Sequence, residues 1–359
     1  MRIGRSVRMM TDTNRANPFT EDATKRRFMI SIYYPSVDSA SLDHEPVYPE
    51  LFDPGLEIAA EFFKNMGVDF SYLNTLKTNV HLNARIASEA LYPVIIYSPA
   101  FGIERDMYWF NVSNLVINGF IVLTVGATFD SVFTVFPDGG HAPQLKPLAD
   151  LQNDDFVEWD KLTDVRTRDI HYVLHALNEL NTTDPLLQNK LDVQRIGLIG
   201  HSLGGAAVFR SLNNNGLIKA GILADPSLHL LGSGISRVTT PVMLMRQHSS
   251  TYEMLINDGW NEVMARRTME GQQYLARVLE GYKSFIKVNG ANHITFSDVP
   301  IHFNEADIAI RHQVINTAII SFFNEFVLEQ KGAYTKTIDQ LPGTEPIDGM
   351  GISVRSKHR

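Results

Sequence analysis

Gly200-His201-Ser202-Leu203-Gly204-Gly205 is the stretch of this sequence best suited to making and breaking covalent bonds. It follows an apolar run, Arg195-Ile196-Gly197-Leu198-Ile199, and leads into an alanine-rich stretch. A G-x-S-x-G turn therefore lies between a strand and a helix, and this context separates a nucleophile from a chance glycine-rich turn. The need is steric. A sharp turn holds the serine in a strained conformation, so the residues two before and two after it must lack side chains, which Gly200 and Gly204 satisfy. A helix beginning at Leu203 aims its dipole and its free N–H groups at an oxygen that turns negative during reaction. With Cys 0, covalent catalysis cannot use a thiol, and Ser202 is the candidate nucleophile.

A serine hydroxyl needs a base within hydrogen-bond reach and a carboxylate that fixes the base's tautomer. For a serine on this kind of elbow the chain order is serine, acid, histidine. After Ser202 come His229, His248, His293, His302, His312 and His358. His293 is best placed, in the loop Asn289-Gly290-Ala291-Asn292-His293 behind a strand at 284–288. Past the strand at 241–246, where an acid commonly sits, the residues are Gln247-His248-Ser249-Ser250-Thr251-Tyr252, with no carboxylate before Glu253. The previous strand ends Gly221-Ile222-Leu223-Ala224 and is followed at once by Asp225-Pro226, so Asp225 is the candidate acid and Glu253 the reserve. The oxyanion calls for two backbone donors, Leu203 and one from Pro99-Ala100-Phe101-Gly102. Pro99 has no N–H, which leaves Ala100 or Phe101, and Phe101 is favoured.

These residues need a frame. Strands at 6–10 and 27–34 are expected to begin the sheet, followed by a helical segment from 49 to about 87. Apolar strands at 93–98, 120–125, 195–200, 220–224, 241–246 and 284–288 then alternate with helices at 106–117, 165–180, 203–213 and about 305–329, the last with Asn304 as a candidate N-cap. That alternation predicts an α/β fold, a mostly parallel sheet with helices on both faces. Residues 1–330 read as one catalytic domain with insertions at about 49–87, 128–160 and 249–281, the last two at carboxyl ends of strands where ligand crevices form. Residues 331–359 read as a polar tail, either a surface arm or disordered, with nothing in it that suggests chemistry. Ala100, Phe101, Met107, Trp109, Phe129, Phe133 and Phe136 are candidates for an apolar pocket, about half of them expected in the core.

Composition excludes other classes. Of 359 residues, 44% are hydrophobic and 20% charged, and 32 Lys+Arg against 40 Asp+Glu give a net charge of -8, which argues against nucleic acid as a partner. No apolar stretch is long enough to span a bilayer and no signal peptide is visible, so a cytoplasmic location is expected. His171 and His175 stand four apart on a helix without the acidic residue of a zinc protease motif, so no metal or cofactor is called for. His201 is expected to point away from the pocket and pack beneath it. The partner expected is a small ester; sequence gives no oligomeric state.

The chain resembles the platelet-activating factor acetylhydrolase branch of the α/β-hydrolases, plasma-type and bacterial. The resemblance runs through Ile32-Tyr33-Tyr34-Pro35, Tyr92-Pro93-Val94-Ile95-Ile96-Tyr97-Ser98, Asn118-Gly119-Phe120-Ile121-Val122, the elbow, Gly221-Ile222-Leu223-Ala224-Asp225 and His293. It implies an α/β-hydrolase fold, an acid after the strand that follows the elbow, and calcium-independent hydrolysis of short or oxidised acyl esters, with carboxylesterases or lipases among the bacterial relatives. The family commonly has His-Gly where this chain has Pro99-Ala100, and a further His where this chain has Gly126-Ala127-Thr128. The expected activity is a serine carboxylic-ester hydrolase acting on short to medium acyl esters. An acyltransferase or amidase with the same triad, or a non-catalytic binding protein of this fold, are the alternatives.

Overall fold

The computed structural model describes residues 2–21, 24–37, 45–87, 91–213, 215–232 and 234–354. The chain opens with a long antiparallel ribbon, β1 (Arg2–Ala16) and β2 (Lys25–Ser36). Then come α1 (Leu56–Asn65), α2 (Phe70–Leu73), β3 (Val80–Leu82), β4 (Tyr92–Ser98), α3 (Trp109–Ile117) and β5 (Ile121–Val125). A small hairpin of β6 (Phe133–Val135) and β7 (His141–Pro143) precedes α4 (Lys146–Ala149) and the long α5 (Phe156–Thr183). The second half runs β8 (Leu191–His201), α6 (Leu203–Ser211), β9 (Ile218–Ala224), β10 (Val242–Arg246), α7 (Tyr252–Asn257), α8 (Glu262–Val278) and β11 (Lys283–Val288). It ends with α9 (Val299–His302), α10 (Ile308–Phe326), α11 (Thr335–Ile338) and β12 (Thr344–Pro346).

Ten strands form one sheet in the order β12-β11-β10-β9-β8-β4-β5-β2-β1-β3. From β5 through β4, β8, β9 and β10 to β11 every pairing is parallel. Parallel strands are covered on both faces, and their side chains alternate between two apolar layers. In β4, Ile95 and Tyr97 join Val112 and Leu115 of α3 and Ile315 and Phe322 of α10. Val94 and Ile96 face the other way, onto Ile170 and Val173 of α5 and Ala206 and Val208 of α6. This is the expected sheet with helices on both faces. It points the carboxyl ends of β8, β9 and β11 toward one edge, where Ser202, Asp225 and His293 follow them in the chain.

Several elements differ from the sequence expectation. β1 is fifteen residues long, not five, because it pairs with β2 to Asp12 and again at Ala16, and Arg15 of β1 and Arg26 of β2 both pair with Asp169 of α5. β2 runs through Pro35, which lies opposite Ile3. The segment 49–87 breaks after Asn65 and returns to the sheet as β3 on the edge beside β1. α10 starts at Ile308 with Asp307, not Asn304, as its N-cap. The polar stretch after Lys331 carries α11 and β12, and β12 pairs antiparallel with β11 at the far edge of the sheet. Residues 355–359 of that stretch lie outside the described residues.

Candidate active site

Ser202 stands between β8 and α6 with φ 54 and ψ -120, the strained backbone that its glycine neighbours permit. A Cβ on Gly204 would overlap the carbonyl oxygens of Ser98 and Pro99, and one on Gly200 would overlap the Gly204 carbonyl. The elbow is thus pressed against the loop after β4. Ser202 donates from Oγ to His293 Nε2 at 2.9 Å, and His293 donates from Nδ1 to Asp225 Oδ2 at 2.6 Å. Ser202 is 9% exposed and Asp225 4%, whereas the His293 side chain is 42% exposed on the cavity side. Burial drives the Asp225 pKa up, but the His293 hydrogen bond, the Arg246 charge and the Gln247 N–H outweigh it and hold the carboxyl well below its ordinary value. Asp225 remains an anion and keeps the His293 tautomer fixed.

Ala100 N–H donates to Tyr108 Oη at 2.7 Å and so is not free to serve an oxyanion. The N–H groups of Phe101 and Leu203 have no acceptor among the described residues, and both residues line the cavity that holds Ser202. Arg166 of α5 fixes this loop by donating to the carbonyls of Pro99 and, at 3.2 Å, Ala100, while paired with Asp130. His201 lies beneath the site. Tyr108 donates to its Nδ1 at 3.1 Å, and its Nε2 donates to the His293 carbonyl at 3.0 Å. Burial and the neighbouring His293 push its pKa down to about 3, so it stays neutral.

The cavity over Ser202 measures about 550 Å³ and is walled by Phe101, Trp159, Leu228, His229, Trp260 and Met264 among others. Phe101 meets Trp159 edge to face with ring centroids 4.8 Å apart. A larger, open groove of about 920 Å³ runs between α3 and α10, but it contains none of Ser202, Asp225 or His293. Ser202, Asp225 and His293 all line the smaller space.

Over residues 16–310 the chain matches the family described as platelet-activating factor acetylhydrolase, isoform II. The chain belongs to this family of ester hydrolases. It is 22% identical over 329 residues to the platelet-activating factor acetylhydrolase of Cavia porcellus, covering 85% of this chain and 73% of the relative. It is 25% identical over 219 residues to a probable 1-alkyl-2-acetylglycerophosphocholine esterase of Arthroderma benhamiae, covering 58% of this chain and 49% of the relative. In fold it is similar to the ferulic acid esterase of Streptomyces cinnamoneus, with TM-score 0.74, 21% identity and coverage of 97% and 96% of the two chains.

Within this family member, the structure brings Ser202, Asp225 and His293 together and leaves Glu253 exposed at the start of α7, away from His293. Of the other histidines, His229 lines the cavity, His302 and His312 are buried in the core, and His358 lies outside the described residues. Most aromatic candidates sit elsewhere. Met107 and Phe133 belong to the core, Phe129 packs on Phe19, Phe136 lies under Arg27, and Trp109 leans on Tyr33. The side chains found instead are Trp159 at the start of α5 and Trp260 between α7 and α8, both inside segments expected to wall the site. Arg166 and Arg246 were also missed. A charged residue closing the apolar strand Val242–Arg246 was the one available signal. No cluster among the described residues could hold a metal, and no helix among them is long and apolar enough to cross a membrane.

Proposed function

We propose that Ser202, His293 and Asp225 hydrolyse short to medium acyl esters through an acyl-enzyme. As Ser202 Oγ attacks the ester carbonyl carbon, His293 Nε2 takes its proton and Asp225 stabilises the resulting imidazolium. The oxygen that becomes negative is received by the N–H groups of Phe101 and Leu203. The tetrahedral intermediate collapses, the alcohol leaves with the proton from His293, and a water activated by the same nitrogen then releases the acid. The observation that carries this proposal is the unbroken hydrogen-bond chain from Ser202 through His293 to Asp225, at 2.9 and 2.6 Å.

The cavity favours compact or planar apolar groups, because Phe101, Trp159 and Trp260 form its walls. Relatives carry names that refer to acetyl and feruloyl esters, one small and one planar, and both shapes suit such walls. Hydrolysis of p-nitrophenyl esters from acetate to palmitate, with chelator present, tests the proposal. Turnover should fall with chain length and vanish in Ser202→Ala. Full turnover in that variant, or none with any ester in the wild type, would overturn it.

A further inference from the structure

Asp225 has two carboxylate oxygens, and only Oδ2 serves His293. Oδ1 accepts from Arg246 Nε at 2.9 Å and from the Gln247 N–H at 3.1 Å. Arg246 closes β10, the neighbour of β9, whose carboxyl end Asp225 follows. Its side chain is 2% exposed, and a second arm of its fork, Nη1, donates to Gln272 Oε1 at 2.6 Å. Gln272 lies fully buried on α8, and its amide nitrogen donates to the backbone carbonyl of Asp348 at 3.2 Å. The line from Asp225 therefore ends in the C-terminal stretch, twenty-odd residues beyond the last large helix.

We propose that Arg246 is a positioning residue for Asp225 and that the C-terminal hairpin after β12 holds Arg246 in place through Gln272. This rests on Asp225 being the acid of the triad. A guanidinium is planar and can donate only in its own plane, so fixing Nη1 and Nε together fixes the direction from which Asp225 Oδ1 is held. Gln272 can accept from Arg246 only if its oxygen faces the guanidinium, because a flipped amide would set donor against donor. The Asp348 carbonyl decides that orientation, as it can accept only from the amide nitrogen.

The hairpin that supplies this carbonyl is itself fastened. Ile347 donates its N–H to the Phe285 carbonyl at 2.9 Å and is buried. Asp348 Oδ1 receives the N–H groups of Met350 and Ile352 at 2.8 and 3.0 Å, closing the turn. Gly351, at φ +75, lies so close to the backbone of Ser250 that a Cβ would overlap the Ser250 carbonyl, and Ser250 Oγ donates to the Gly351 carbonyl at 2.8 Å. A segment that reads as a polar tail thus reaches the acid through three consecutive hydrogen bonds.

The test uses the full chain and the pH dependence of kcat/KM, with active sites counted by stoichiometric phosphonylation of Ser202. Removing the Arg246 charge lowers the positive potential over Asp225 and the groups it holds, which moves the acid limb to higher pH. Arg246→Met is expected to lower kcat roughly 10- to 100-fold at little change in KM and to raise the acid limb by about one pH unit. Arg246→Lys should return the limb toward the wild-type position while kcat stays low, because the charge is kept and the fork is not. Gln272→Leu should shift the limb in the same direction by less. Tyr334→Phe, which loses only the hydrogen bond to Ser284 at 2.6 Å elsewhere in the same stretch, should lower stability and leave the profile unmoved. If Arg246→Met does not fold, the profile of Gln272→Leu decides alone. Profiles that superimpose on wild type per active site would overturn the inference. Turnover surviving in Ser202→Ala or Asp225→Asn would instead overturn the triad on which it rests.

Discussion

Replacing His201 by Phe isolates a buried neutral histidine with two hydrogen bonds and no part in proton transfer. A phenyl ring keeps the ring contacts with His293, Tyr108 and Phe296, at 4.8, 5.9 and 5.9 Å between centroids. It removes the acceptor for Tyr108 and the donor to the His293 carbonyl. The Tyr108 hydroxyl proton and the His293 carbonyl, left without these partners, cost about 2–4 kcal/mol together at pH 8. The penalty should change with pH in a direction fixed by burial. Folded His201 resists protonation down to about pH 3, while in the unfolded chain it takes a proton near the ordinary imidazole value of 6.5. Its depressed pKa therefore weakens the wild type as pH falls from 6.5 toward 3, by about 2 kcal/mol at pH 5. The variant has no such group, so its deficit at pH 5 should be smaller than at pH 8 by that amount. Raised groups such as Asp298, pushed up to about 7 by burial, are present in both proteins and cancel in the difference. Urea unfolding of both proteins at the two pH values measures the gap. A deficit equal at both, or larger at pH 5, would refute the buried neutral histidine.

Asp225→Asn should reduce kcat by roughly 10⁴-fold by fixing the wrong histidine tautomer, while Glu253→Ala keeps most activity; the reverse pattern in ester assays would reassign the acid. Gly204→Ala drives a Cβ into two backbone carbonyls that cannot swing aside, and displacement of the elbow should cost about 10²-fold or more in kcat with folded protein still recoverable. Arg166→Met removes the clamp on the Pro99 and Ala100 carbonyls and strands buried Asp130, a loss of about 3–5 kcal/mol by thermal unfolding at pH 8. Asp130 already has its pKa raised by burial, so its protonation should make that loss smaller at pH 5.

How much of this was legible depended on how local each signal is. The elbow is written in six consecutive residues because its steric demand is local, and the β8–Ser202–α6 turn forms where that demand is met. The alternation of parallel strands and helices was legible because strands such as β4 and β5 are buried on both faces and carry unbroken apolar runs. The pocket was not. Phe133 and Trp159 fall in the same expected insertion, yet Phe133 packs on Phe52 and Phe62 while Trp159 faces Phe101, and nothing in their spacing distinguishes a wall from a core. The C-terminal stretch was obscured for a related reason. Its hydrogen bonds run to Phe285, Gln272 and Ser250, far away in sequence, so its polarity reads as solvation when it is pairing.

The same long-range pairing sets the electrical character of the cavity. Arg246 is neutralised by Asp225, and Arg166, next to the loop after β4, by Asp130. His229 on the wall has its pKa lowered to about 4 by burial, by His293 and by Arg267, so it is uncharged at neutral pH. Among the described residues that line the cavity, no cation is left over to pair with a carboxylate or phosphate on the substrate. The field that remains comes from the N–H groups at the start of α6 and in the loop after β4, which are short-range dipoles rather than net charges. Such a field stabilises charge that develops during reaction far more than charge brought in by the substrate. On the proposed triad, neutral esters are therefore expected to turn over faster than esters with an anionic group close to the carbonyl, which would lose its hydration in exchange for aromatic walls.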